Sequence, residues 1–538
     1  MKIFYQLKMY NFLLFFFLLF SCSGEEPSDD SGPSDPDQVI PTNLVLDIEI
    51  VGSNSQNANG DGSGLVRFKA TANNAVNYSF RFGTGDSEES SSGSVEYTYT
   101  QAGNHSYNIN VLAYSSTNDF ISISENIDVY VAVQSDPDLS NVLTGGSQKS
   151  WKVNAAYDAH FSNGENQFKY PTWWEASAFS KSNSGFYDDK FIFKSDGTYI
   201  HETNGDVYGK ANYLNQTFGN TGQPINGSNE IEKYSLSNYQ TTFSVVKEND
   251  ENKLSFQDKG FVGFFVGQHE FTIECYDNNN LFVRAVDDQN RAWYIWLTDQ
   301  EVSTLPSKDI FTNLVWQEEF NYNGKIDSNK WVYEIRDQWY NQELQATTDR
   351  LDNVIVQDGK LRIIAKRENY NGKSFTSGRI KSNGKFDFTY GRVDIRAKLP
   401  GEKGTWPALW LLGSNYDDID WPKCGEIDIM EHAGNRLNKI QGTVHHPDKH
   451  GSGDGGETNE YSNVSTDFNI YSVVWTEKGV TFLVNDKPFH IVGNSCALPF
   501  NWDFFLILNI AMGGTFGGSV PESFVSDIME VDYVRVYQ

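Results

Sequence analysis

From about residue 308 to the C-terminus, apolar side chains recur at every second position in short runs, and long amphipathic helix patterns are missing. The runs include Leu361-Arg362-Ile363-Ile364-Ala365, Tyr471-Ser472-Val473-Val474-Trp475, Phe504-Phe505-Leu506-Ile507-Leu508 and Val531-Asp532-Tyr533-Val534-Arg535-Val536. A period of two belongs to strands, whose successive side chains point to opposite faces. Many even strands must cover one another's apolar faces, so the expected fold is all-β, a large curved sandwich.

The chain is 538 residues long, enough for roughly three or four domains. Between residues 40 and 133, Tyr78, Phe80 and Phe82, then Tyr97 and Tyr99, then Tyr107, Ile109 and Val111 alternate between turns such as Gly83-Thr84-Gly85-Asp86. Half-buried strands of this kind form a small sandwich. Phe80-Arg81-Phe82-Gly83-Thr84-Gly85-Asp86, followed by Tyr97-Thr98-Tyr99-Thr100-Gln101-Ala102-Gly103, resembles a PKD module of immunoglobulin-like fold, which implies a spacer. Residues 137–300 read as a further β-rich domain with no recognisable family. Phe191-Ile192-Phe193, Leu281-Phe282-Val283-Arg284-Ala285 and Trp293-Tyr294-Ile295-Trp296-Leu297 are its clearest strands. Adjacent Trp173 and Trp174 face opposite ways on a strand. One of the two is therefore open to exposure; core filling is the expected role because large aromatics mostly bury, and a glycan platform is the alternative.

Lys2 and Lys8 precede an apolar run from Phe12 to Phe20, too short to span a bilayer and suited to a cleaved export signal over residues 1–22. Cys22 directly after Leu19-Phe20-Ser21 resembles a bacterial lipoprotein box, which implies a lipidated Cys22; an ordinary signal peptide with an incidental Cys is the alternative. Residues 23–39 read as a disordered acidic linker. Its start, Ser23-Gly24-Glu25-Glu26, resembles the export tag of surface lipoproteins in Gram-negative glycan degraders. That resemblance implies an outer-membrane lipoprotein facing the exterior, in contact with the membrane through its lipid alone, with glycan-uptake machinery as a partner. Lys and Arg total 42 against 71 Asp and Glu, a net charge of −29 that argues against nucleic acid and anionic lipid surfaces. A neutral partner recognised by stacking fits better. The remaining cysteines, Cys275, Cys424 and Cys496, allow one bridge, and Cys424 with Cys496 is the expected pair because both lie in the last segment.

Gly425-Glu426-Ile427-Asp428-Ile429-Met430-Glu431-His432 sets three acids into an apolar strand. Plain alternation puts Glu426 and Asp428 on one face and Glu431 on the other. A β-bulge at Ile429-Met430 supplies the one-residue shift that reunites them. Four effective strand steps span about 13 Å, and two inward-leaning glutamates would close that to about 5–6 Å, the spacing of a retaining glycosidase. Crowding would raise a carboxyl pKa and keep one acid protonated. A solvated acidic edge or a calcium site is the rival reading; the flanking Ile427, Ile429 and Met430 mark a buried strand and favour the first.

Glu426-Ile427-Asp428-Ile429-Met430-Glu431 resembles the signature of family 16 glycoside hydrolases, in the bulged form of the laminarinases. Similar blocks follow in family order, among them Trp316-Gln317-Glu318-Glu319-Phe320, Asn341-Gln342-Glu343-Leu344-Gln345, Ser377-Gly378-Arg379-Ile380 and Trp406-Pro407-Ala408-Leu409-Trp410. The resemblance covers nearly all of 308–538 and implies a β-jelly roll acting on β-1,3-glucan, with mixed-linkage β-1,3-1,4-glucan as a second substrate. It makes Glu426 the nucleophile, Glu431 the general acid/base and Asp428 their assistant. Trp406 and Trp410, four apart and so on one face, would stack under sugar rings, with Pro407 at a sheet margin. Asn341, Arg379 and Trp421 would be further sugar contacts. His445 would bond near the leaving group or serve as a buried structural His, with His446 pointing away. Catalysis needs no cofactor. Members of the family carry a structural Ca²⁺, for which Glu319 and Gly359 would offer carbonyls and Asp532 its carboxylate. Agarases and carrageenases share the acid motif, but a sulfated polymer calls for basic residues along the cleft, which are scarce near the Trp residues. A non-catalytic surface glycan-binding lipoprotein is the remaining alternative.

Overall fold

The structure is a computed structural model that describes residues 39–55, 57–101, 103–131, 136–458 and 461–538. Cys22, the export signal and the acidic linker lie outside these residues, apart from Val39 at the linker's end. No helix among the described residues is long and apolar enough to cross a membrane. The chain divides into two units, one of residues 1–99 and 103–132 and the other of residues 133–538 together with 100–102.

The first unit has two antiparallel sheets. Thr42–Ile50, Leu65–Asn73 and Ser94–Thr98 form one; Ser87–Ser90, Asn77–Arg81, Gly103–Tyr114 and Phe120–Val131 form the other. Val66 and Phe68 from the first sheet meet Phe80, Ile109 and Val111 from the second in one core.

In the second unit, residues 148–298 form a barrel. Strand Gln148–Val153 pairs with Lys190–Lys194 on one side and with Arg291–Thr298 on the other. The order of the strands between them therefore closes eight strands into a ring without a free edge. Trp151, Phe193, Tyr199, Leu254, Phe271 and Val283 fill it, as an eight-stranded barrel has room for little else. Trp173 and Trp174 are not part of that core: they are 51% and 40% exposed. Trp174 lies edge-on to Phe161 at 5.6 Å, while Trp173 faces elsewhere.

The last segment is a sandwich of two large sheets. One runs Gln345–Thr347, Lys373–Ser377, Lys360–Tyr370, Ser526–Tyr537, Gly391–Lys398, Asn469–Trp475, Gly479–Val484, Lys487–Gly493. The other runs Val332–Tyr333, Arg379–Lys381, Phe504–Met512, Thr405–Gly413, Glu426–Glu431, Gln441–His446, Lys449–Glu457. Ile363, Val393, Val473 and Val534 of the first meet Leu409, Ile427, Met430 and Leu508 of the second in a shared core.

The barrel packs tightly on this sandwich. Tyr170 joins the sandwich core, sets its ring edge-on to His446 at 5.2 Å and donates to Asp448 Oδ2 at 2.8 Å. Thr481 donates to Asp158 Oδ2 at 2.7 Å. Cys275 on the barrel forms a disulfide with Cys496 of the sandwich, and Cys424 is the buried free thiol. The bridge expected between Cys424 and Cys496 is therefore corrected. Cys424 is fully buried in the turn before the acid strand, and docking of the barrel brings the Cys275 and Cys496 Cα atoms to 6.0 Å, within disulfide reach.

Candidate active site

The acid strand Glu426–Glu431 lies between Thr405–Gly413 and Gln441–His446. Leu412, Leu411 and Trp410 face Glu426, Ile427 and Asp428, after which the register slips, so that Leu409 faces Met430 and Ala408 faces Glu431. On the other side Asp428 faces Thr443 and Glu431 faces Gln441, three residues set against two. The bulge thus falls where the broken alternation places it. Ile427, Ile429 and Met430 are fully buried in the core, while the three acids stand on the opposite face. A one-residue slip would turn these side chains outward, at about 1.5–3 kcal/mol each, and drive carboxylates into the core. The packing pins the register.

Each outer acid is held by an indole. Trp406 Nε1 donates to Glu431 Oε1 at 3.0 Å, and Trp421 Nε1 donates to Glu426 Oε2 at 2.9 Å. His445, across the ladder from Glu426, brings Nε2 to 3.1 Å from Asp428 Oδ2 and 3.8 Å from Glu426 Oε1. The nearer contact does not have the geometry of a hydrogen bond, and Asp428 Oδ2 has no hydrogen-bond partner among the described residues. His446 points the other way, toward Tyr170 and Phe500. Ligand atoms of Glu426, Asp428 and His445 lie within 4.8 Å of one another. Burial pushes all three carboxyls up. For Glu426 the Asp428 charge adds to it and His445 opposes. For Asp428 the Glu431 charge adds and a hydrogen bond with Glu426 opposes. For Glu431 the Trp406 bond opposes. Such a cluster holds protons toward neutrality and can donate one.

The remaining expected contacts divide. Arg379, facing Asn509 across the ladder, sits over the rings of Trp339 at 4.6 Å and Trp410 at 4.7 Å. It donates from Nε to Glu334 Oε2 at 2.7 Å. Burial opposes ionisation of Glu334, but Arg379, Lys381 and Arg336 outweigh it and hold the carboxyl below its usual range. Trp410 shares the face of Trp406 but is only 9% exposed; Arg379 covers it and its indole donates to Asn509 Oδ1 at 2.8 Å. It supports Arg379 rather than offering an open platform. Pro407 is not at a sheet margin: its strand is internal, and it faces Ile510. Its carbonyl accepts from His432 N at 3.2 Å, just past the end of the acid strand, where one absent ladder donor is tolerated. Asn341, with φ of 54°, accepts from Thr515 N at 2.9 Å through its carbonyl. Trp421 is 45% exposed. Glu334, Trp339, Asn509 and the 73%-exposed Tyr340 are partners or neighbours of these residues that the sequence reading left out. Asn509, a lone amide in an apolar strand, and the Trp339-Tyr340 pair beside Asn341 were the available signals.

Asp532 lies on the other sheet, with Glu319 just past the end of a strand of that sheet and Gly359 in a turn between two of its strands. Glu318 pairs with Val534 and Leu361 with Val531, which brings the three to one region. The Asp532 carboxylate is engaged by Arg396, and that of Glu319 accepts from Arg535 at 2.8 and 3.0 Å. Backbone carbonyl oxygens are ligands of the kind a hard cation takes, but the carboxylate expected to complete the set is held by Arg396, so the residues do not fit the ion as arranged.

Residues 340–535 match the family model described as Glycosyl hydrolases family 16. A protein named Beta-glucanase from Rhodothermus marinus is 41% identical over 244 residues, 42% of this chain and 85% of that protein. The Glucan endo-1,3-beta-glucosidase of Cryptopygus antarcticus is 35% identical over 41% of this chain and 90% of its own length. The Glucan endo-1,3-beta-glucosidase A1 of Niallia circulans is 36% identical over 56% of this chain, which spans about half of that longer protein, 48%. With its three acids on one strand face and relatives matched over most of their length, the chain is a glycoside hydrolase belonging to family 16.

Proposed function

We propose that this hydrolase cleaves internal β-1,3 bonds of laminarin-type glucan with retention of configuration, and accepts mixed-linkage β-1,3-1,4-glucan as a second substrate. The observation that carries the reading is the bulge that sets Glu426, Asp428 and Glu431 on one face, with Trp421 and Trp406 holding the outer two. Glu426 attacks the anomeric carbon while Glu431 gives its proton to the leaving oxygen, and Glu431 then takes a proton from the water that releases the sugar. Asp428, between them, tunes the charge of Glu426, and His445 offsets the crowded negative charge. Relatives named as endo-1,3-beta-glucosidases support the substrate class. A lipidated Cys22 and a PKD-like spacer would hold the enzyme at the outer face of the outer membrane, where polymer is cut before uptake.

The test is release of reducing ends from laminarin, against none from agar or carrageenan. Glu426→Ser is expected to abolish that release while laminarin still binds. Binding without cutting by the unaltered protein would favour the glycan-binding alternative. A structural Ca²⁺ requires Asp532 to exchange Arg396 for the ion; a melting temperature unaffected by a chelator would count against it.

A further inference from the structure

Outside the catalytic face, the barrel carries a groove of about 330 Å³ lined by Glu165, Asn166, Gln167, Trp173, Gln289 and Asn290. Trp173 is 51% exposed and stands outside the packed core of the barrel. Asn166 Nδ2 donates to Asn290 Oδ1 at 3.0 Å, and Gln167 Nε2 donates to Glu165 Oε2 at 2.7 Å, so the amides are held in place rather than free to swing. One flat aromatic face ringed by planar amides and a single carboxylate suits a ligand with an apolar ring face and hydroxyls around its edge. Among the described residues no Lys or Arg lines the groove, which disfavours phosphate and sulfate.

The groove is fixed to the catalytic segment. Two residues before Trp173, Pro171 packs on Gly493. Two residues after it, Glu175 is half-buried beside Asp454 and Lys449, and loss of solvent around it pushes its carboxyl up to about 7. The strand holding Lys449 and Asp454 is the edge of the acid-bearing sheet. The Trp173 backbone therefore lies within about 7 Å of residues that touch the sandwich, and the Cys275–Cys496 bridge adds a covalent tie.

We infer that the Trp173 groove is a second saccharide site, separate from the catalytic face, that binds a neutral β-linked glucan chain. The choice of glucan rests on the catalytic proposal above; the stacking and amide chemistry do not. A second contact raises the effective concentration of a long polymer at the acids and does nothing for a ligand too short to reach both.

The experiment uses the full chain, because removing the barrel would also strip Tyr170 and Cys275 from the sandwich. Partition onto insoluble β-1,3-glucan is compared for the unaltered protein, Trp173→Ala, Trp173→Phe and Asn290→Ala, beside the rate on a short soluble β-1,3-oligosaccharide. Trp173→Ala is expected to weaken partition about tenfold, Trp173→Phe to restore part of it, and Asn290→Ala to fall between, with the oligosaccharide rate unchanged in all three. Unchanged partition in Trp173→Ala, or an equal loss on the oligosaccharide, would overturn the inference. Laminarin hydrolysis by the unaltered protein is read separately. Its absence sinks the catalytic proposal, whereas partition indifferent to Trp173 sinks only this site.

Discussion

Trp406 donates its indole N–H to Glu431 Oε1 at 3.0 Å from the same strand that sets the register of that carboxylate. The bond favours the ionised acid and partly offsets burial, which pushes the Glu431 carboxyl up. Trp406→Phe keeps an aromatic face but removes the donor. A hydrogen bond to a charged group is worth about 1.5–3 kcal/mol, or about one pH unit or more. The alkaline limb of kcat/KM, set by loss of the acid's proton, is expected to move up by that much while the maximum falls. A limb that stays in place would mean Glu431 is not the general acid.

Asp428 has the opposite effect on its neighbour. Next to burial, its charge is the largest influence pushing Glu426 up. A nucleophile works only when ionised, so under the proposed mechanism the acid limb of kcat/KM follows Glu426. Asp428→Asn is expected to shift that limb to lower pH and to reduce kcat by at least tenfold through lost positioning. A limb that moves upward would contradict the electrostatic role.

Crowding these acids costs stability. A carboxyl whose folded pKa is raised stabilises the fold fully only below its unfolded value, near 4.5 for Glu426, and that contribution is lost as pH rises through the higher folded value. Glu426→Gln removes the liability. Its melting temperature is expected to exceed that of the unaltered protein at pH 7, by about 2–4 °C per kcal/mol recovered, and to match it near pH 4. Equal melting curves at both pH values would count against the buried, repelling cluster.

The Cys275–Cys496 bridge closes a separation of 221 residues between barrel and sandwich. Losing a native bridge costs about 2–5 kcal/mol. Cys275→Ser, or mild reduction, is expected to lower the melting temperature and to leave hydrolysis of short oligosaccharides near its original rate. Mass mapping that finds Cys424 in the bridge would contradict the docking.

The acid face was legible because its signal is local. Ile427, Ile429 and Met430 fix which way the strand is buried, and only a bulge then reunites Glu431 with Glu426. The sandwich strands were legible for the same reason: alternation survives in the linear order of residues. Long-range closure leaves no such trace. Nothing in Gln148–Val153 announces that it will pair with Arg291–Thr298, so residues 137–300 read as strands without a shape. Docking was equally silent. Tyr170 looks like any core aromatic until His446 and Asp448 are found around it, and the position of Cys275 in an earlier segment carries no sign that its surface meets that of Cys496. Trp410 shows a finer limit: sharing a face with Trp406 says which side it is on, not that Arg379 will cover it.

The most direct test of the paired-glutamate mechanism is the anomer released first from a β-1,3-glucan oligosaccharide, followed by proton NMR before mutarotation scrambles it. Attack by Glu426 through a covalent intermediate gives the β anomer initially. Initial release of the α anomer would mean a single displacement by water, and the nucleophile's role assigned to Glu426 would be wrong.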